Sequence, residues 1–97
     1  MSPSDPDGAV TRVMKIVNEK GLHARASAKF VQLVEKYDAT VKVSRNDDSA
    51  GGDSIMGLMM LAAGIGTSIT VSATGPEAKQ VVEALDTLVS GKFGEDE

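Results

Sequence analysis

Apolar residues recur in this chain in two different rhythms, and the order in which those rhythms alternate restricts what it can fold into. A spacing of two marks a strand whose side chains point in and out in turn, whereas a spacing of three to four marks a helix with one buried face. Residues 11–18 carry Val13 and Val17 on one side and Met14 and Ile16 on the other, the pattern of a strand buried on much of both faces. A central strand is expected there. Over 24–37, Ala26, Phe30, Leu33, Val34 and Tyr37 fall at helical spacing, while Arg25, Lys29, Gln32, Glu35 and Lys36 fill the opposite face. Residues 40–44 alternate around Val41 and Val43. Asn46-Asp47-Asp48 has turn chemistry, and 49–52 reads as a short return strand weakened by two adjacent glycines.

Ser54 is placed to cap a short helix over 55–61 that is apolar on nearly every side, so that not all of it can be core. After the Gly64-Ile65-Gly66 turn, Ile69, Val71 and Ala73 alternate with Ser68, Thr70 and Ser72. Gly75-Pro76 opens a last helix, with Pro76 in its first turn, a buried stripe of Ala78, Val81, Val82, Leu85, Leu88 and Val89, and Gly91 as its stop. The order is β-α-β-β-α-β-α. That order predicts an α+β domain in two layers: a four-stranded, largely antiparallel sheet covered on one face by three helices.

With 97 residues the chain holds one core rather than two. Residues 1–9 read as a flexible lead-in, 10–92 as the folded domain and 93–97 as an acidic tail whose Glu95-Asp96-Glu97 end is expected to fray. Ten Lys and Arg against 14 Asp and Glu give a net charge of −4, which argues against a general nucleic-acid binder. Cysteine is absent, and a single histidine without clustered carboxylates gives no metal site; no cofactor is expected. No window reaches the roughly 18 apolar residues of a membrane helix, and no secretory leader pattern occurs, so a cytoplasmic setting without membrane insertion is expected.

The one histidine, His23, stands in Gly21-Leu22-His23-Ala24-Arg25-Ala26-Ser27, where the strand pattern yields to the helix pattern. A ring there lies beside backbone N–H groups that lack helical acceptors, at the helix end that favours an anion. Arg25 adds a planar charged fork able to hold phosphoryl oxygens through two hydrogen bonds. A neutral imidazole can attack phosphorus through one ring nitrogen, giving a phosphohistidine that stores the group for transfer.

Two separated segments, Gly21-Leu22-His23-Ala24-Arg25 and Asp53-Ser54-Ile55-Met56-Gly57-Leu58-Met59, resemble the histidine-containing phosphocarrier family, HPr and its nitrogen-branch relative NPr, of the bacterial phosphoenolpyruvate-dependent phosphotransferase system. The likeness spans 11–91. It implies an open-faced β-sandwich in which His23 accepts a phosphoryl group from an enzyme I-type donor and passes it to an EIIA-type acceptor, with Arg25 supporting the phosphate. Ser54 would match the serine that a dedicated kinase, HPr kinase/phosphorylase, modifies in some branches. Ala26 stands where a proline often follows the arginine, and Asp53 where a basic residue commonly precedes the serine. Gln32 and Glu35 replace basic residues frequent in sugar-branch carriers, and with the acidic tail they lean toward the nitrogen branch.

The resemblance thus implies a phosphoprotein carrier, a substrate of phosphotransferases rather than a self-sufficient enzyme. Ser54 reads first as a plain helix cap and second as a modified residue. Leu58 and Leu61 belong to the core, whereas Ile55, Met56 and Met59, with Leu22, are expected to form an apolar surface for partner proteins. Two rivals remain. One is a regulatory module that is never phosphorylated and binds through Leu22, Met56 and Met59; the other is a small hydrolase, which would require a partner for His23 that the sequence does not reveal.

Overall fold

A computed structural model describes residues 9–95. Its elements follow the order β1 (Val10–Lys15), α1 (Ala24–Val34), β2 (Thr40–Arg45), β3 (Asp48–Gly51), α2 (Ile55–Met60), β4 (Ser68–Thr74) and α3 (Ala78–Ser90), with a closing 3₁₀ turn at Lys92–Gly94. The strands form one antiparallel sheet in the order β1-β4-β2-β3. The expected α+β architecture, with three helices on a four-stranded sheet, is what the chain adopts.

Register explains why the sheet is covered on one side. Met14 lies opposite Ile69, Val43 opposite Val71, and Val41 opposite Ala73; these six side chains are buried together under the helices. Their neighbours Thr11, Val13, Lys42, Ser44, Thr70 and Ser72 occupy the alternate positions, which line the open face. Phe30 and Val34 of α1, Leu58 of α2, and Val81, Val82, Leu85 and Val89 of α3 close the layer from above. α3 packs on β1 and β4, and α1 lies against α2 and α3.

β1 is an edge strand, which corrects the central position expected from its sequence. The two-faced apolar pattern over 11–18 arose because Val17 and Val13 share a side, but the strand ends at Lys15, and Val13 is left 64% exposed on the open face. At the edge, Arg12 turns toward the helical layer and its Nη1 pairs with Asp86 Oδ2 of α3 at 3.0 Å. β4, the most regularly alternating segment, takes an inner position instead, beside β2.

Two helix ends also differ from expectation. α1 stops at Val34 rather than Tyr37, since Lys36 and Tyr37 donate to carbonyls only three residues back and the last turn tightens out of α geometry. α3 starts at Ala78 with Glu77 as N-cap, so Pro76 precedes the cap instead of filling the first turn. Glu77 ties that corner down: its N–H donates to Asp38 O at 3.0 Å, and its Oε1 accepts from Asp38 N–H at 2.7 Å.

Both ends of the described segment belong to the folded unit. Residues 1–8 of the expected lead-in, and 96–97 of the expected tail, lie outside the described residues; Ala9 is buried. Phe93, assigned above to the acidic tail, is fully buried, one of the two largest side chains in the core. Reaching that position forces Lys92 and Phe93 into left-handed backbone, at φ 60° and 55°, which costs about 1–2 kcal/mol per residue. Burying a phenyl ring contributes about 1.5–3 kcal/mol and offsets much of this. Phe93→Ala should therefore lower unfolding stability by about 3–5 kcal/mol in a denaturant titration. A loss under about 1 kcal/mol would mean that the ring does not complete the core.

Candidate phosphoryl-transfer site

The link between β1 and α1 is built to aim one side chain. Ile16 donates to Thr67 O and accepts from Gly66 N–H, both at 2.8 Å, which carries the chain past the end of β1 against the β4 entry loop. Asn18, fully buried, then donates from Nδ2 to Gly21 O at 2.8 Å, and Gly21 N–H returns to Asn18 O at 3.2 Å. Gly21 has φ +65°, and a Cβ there would stand 2.3 Å from Ala63 O. No other residue fits. Leu22 N–H donates to Ala63 O at 3.0 Å, and Ser27 Oγ donates back to Leu22 O at 3.1 Å from inside α1.

His23 follows as the N-cap of α1, in extended backbone at φ −73° and ψ −179°. Its carbonyl accepts from Ser27 N–H at 2.8 Å, so the N–H groups of Ala24, Arg25 and Ala26 precede the first helical acceptor. The ring makes no capping bond to them. Instead, its Nε2 bonds to Glu95 Oε2, while Nδ1 has no partner among the described residues. The imidazole is 27% exposed.

Around the ring opens a cleft of about 690 Å³ lined by Lys20, His23, Ala24, Arg25, Lys29, Gly94 and Glu95. Three cations face one carboxylate across it. Arg25 is exposed on the first turn of α1 and makes no hydrogen bond or ion pair among the described residues, which leaves its fork available. Lys29 lies one turn further on, and its Nζ donates to Phe93 O at 2.6 Å. On the other side of the ring, a smaller groove of about 210 Å³ runs between Lys20, Leu22 and the residues 62–64.

Such an arrangement can hold a tetrahedral anion at a helix N-terminus with a guanidinium beside it, in an open cleft that another protein can enter. No described cluster of His, Asp and Glu could hold a metal ion, and no described helix is long and apolar enough to cross a membrane.

Ser54 lies elsewhere, at the start of α2, where its Oγ accepts from Gly57 N–H at 3.0 Å as the cap reading requires. Along α2, Leu58 and Leu61 are buried as expected, whereas Ile55, Met56 and Met59 are 41%, 68% and 39% exposed. Met60 and Ile65 extend the exposed apolar surface. Leu22 does not belong to it: that side chain is only 4% exposed and packs in the core, because the bond of its N–H to Ala63 turns it inward. The regulatory-module rival loses one of its three contact residues by that correction.

Glu95, Asn18 and Lys29 are the site residues that reading the sequence for pattern missed. Glu95 was counted with a frayed end, yet one sign was present: Phe93, one of only two phenylalanines, stands between Gly91 and Gly94 in a segment otherwise too polar to need it.

A small α+β domain with one histidine at a helix N-terminus beside an open, cation-lined cleft is the class of protein this geometry defines. Residues 10–91 match the family model described as the PTS HPr component phosphorylation site. The chain is 49% identical over 82 residues to the phosphocarrier protein HPr of Cupriavidus necator, covering 84% of this chain and 92% of that one. It is 37% identical over 84 residues to the phosphocarrier protein NPr of Shewanella violacea, covering 87% and 92%. The crystal structure of an HPr from Thermoanaerobacter tengcongensis superposes with a TM-score of 0.86 at 34% identity, covering 91% of this chain and 99% of that one. The chain belongs to the HPr family of phosphotransferase-system phosphocarriers.

Gly21→Ala should displace the Ala63 carbonyl and shift the amide resonances of Leu22 through Ala26, with a stability loss of about 2 kcal/mol or more. An unchanged spectrum would show that the left-handed turn does not set the aim of His23.

Proposed function

We propose that His23 accepts a phosphoryl group from an enzyme I-type protein, charged from phosphoenolpyruvate, and delivers it to an EIIA-type protein. The observation that carries this is the partly exposed imidazole at the N-cap of α1, with Nδ1 unpartnered and Arg25 uncommitted among the described residues. Nδ1 is the ring nitrogen two bonds from Cβ, the position from which the side-chain oxygen of a capping Asp or Asn reaches the first-turn amides. A phosphoryl group on that atom lies next to the N–H groups of Ala24, Arg25 and Ala26.

In the forward step the Nδ1 lone pair forms a bond to phosphorus as the bond from phosphorus to the donor protein breaks, its electron pair leaving with the donor. The acceptor then attacks phosphorus, and the electron pair of the Nδ1–P bond returns to the ring. Amides and an exposed guanidinium lower the cost of the added charge without trapping it, since both are screened by solvent. The chain is a carrier in this scheme, and requires a partner protein at each step.

The exposed Ile55, Met56 and Met59 of α2 supply the docking surface, where methionine adapts to more than one partner. Ser54 serves as the cap of α2. The absence of basic residues at Gln32 and Glu35 favours partners of the nitrogen-regulatory branch, and a cytoplasmic setting goes with either branch.

Incubation with enzyme I and labelled phosphoenolpyruvate should give acid-labile phosphate on the wild-type chain and none on His23→Ala, with the fold of the variant unchanged by circular dichroism. Label surviving His23→Ala, or no label on the wild type, would overturn this reading. Arg25→Ala should retain labelling but slow it about tenfold in a rapid-quench time course; an unchanged rate would remove Arg25 from the transfer.

A further inference from the structure

We propose that Glu95, held in place by Asn18, is a positioning residue that fixes the tautomer and the facing of the His23 ring for phosphoryl transfer. Glu95 Oε2 bonds to His23 Nε2, and Glu95 Oε1 accepts from Asn18 Nδ2 at 3.1 Å. A carboxylate only accepts, so the ring nitrogen facing it carries the proton, and the lone pair belongs to Nδ1. The nucleophilic nitrogen is then Nδ1, the ring nitrogen not engaged by Glu95, on the residue that caps α1. This inference rests on the carrier reading above and adds to it a residue outside the 10–91 span that matches the family.

Three independent features hold Glu95 there. Its side chain is only 11% exposed. The segment leading to it is pinned by the fully buried Phe93 and by Lys29 Nζ donating to Phe93 O at 2.6 Å. The Asn18 amide is fixed from the other side: both partners of Nδ2, Gly21 O and Glu95 Oε1, are acceptors, so exchanging its oxygen and nitrogen would set three oxygens against one another. In this orientation Asn18 Oδ1 is buried and has no hydrogen-bond partner. A buried carbonyl without a donor is costly, and the amide tolerates it while its nitrogen joins the Gly21 turn to the Glu95 carboxylate.

The contact fits both ends of the transfer. When the bond from Nδ1 to phosphorus forms, Nε2 keeps its proton and the ring becomes a phosphoimidazolium; the Glu95 carboxylate then balances the ring charge through the same hydrogen bond. When the phosphoryl group departs, the electron pair returns to Nδ1 and the neutral ring is left in its starting tautomer. No proton has to be exchanged with solvent in either direction.

The test compares wild type, Glu95→Ala and Glu95→Gln, first unphosphorylated and then in transfer from enzyme I charged with phosphoenolpyruvate. A ring Nε2–H proton resonance protected from water exchange is expected in wild type and in Glu95→Gln, which keeps an acceptor oxygen, and should be lost in Glu95→Ala. The rate of phosphoryl uptake should fall about tenfold in Glu95→Ala and less than about threefold in Glu95→Gln, with thermal midpoints alike. Absence of the protected proton in wild type, or its persistence in Glu95→Ala with an unchanged rate, would overturn the proposal. A protected Nε2–H in a wild-type chain that takes up no phosphate would overturn the carrier reading rather than the contact.

Discussion

An α-helix begins with amide N–H groups that it cannot satisfy itself, and at the start of α1 those of Ala24, Arg25 and Ala26 directly follow the one histidine of the chain, which stands as the N-cap. The rest of the structure serves to hold that helix end in place. Position 21 must be glycine, because its backbone is left-handed and the Ala63 carbonyl occupies the space a side chain would need, and Leu22 is anchored to the same carbonyl. Phe30 and Val34 fix the helix body to the core, so the helix start cannot drift relative to the sheet. Rigid support beneath and an open cleft above are what a reversible carrier requires: the group must be bound in one geometry but not enclosed.

Much of this was legible in the residues. β4 alternates so regularly through Ile69, Val71 and Ala73 that its strand character is unambiguous, and α3 shows its buried stripe without help from tertiary structure. Ser54 capping α2, with Leu58 inward and Met56 outward, also follows from local chemistry. What failed were inferences that depended on neighbours. Whether β1 is central or at the edge is decided by which strands flank it, and Val13 gave a false sign because an open sheet face tolerates an isolated valine. Leu22 sits beside His23 in sequence but points the opposite way, since adjacent residues in extended backbone face opposite sides.

The C-terminal segment shows the same limit from the other direction. Acidic residues after a glycine stop have the composition of a loose end, and only long-range contacts distinguish them from one: Phe93 in the core, Lys29 on its carbonyl, Glu95 on His23. His23 and Asn18, which Glu95 contacts, are 72 and 77 residues away in sequence, beyond the reach of any local pattern. The proposed chemistry and docking are also divided between elements, with His23 at the start of α1 and the exposed methionines on α2. The two helices pack against each other, so a partner seated on α2 lies next to the His23 cleft.

The central claim is that phosphate on His23 is held by the first-turn amides of α1. Amide resonances recorded before and after phosphorylation test it most directly. The N–H signals of Ala24, Arg25 and Ala26 should move downfield together, more than any signal of β2, β3 or α2. If those three stay in place while other amides shift, the phosphoryl group rests somewhere other than the helix end.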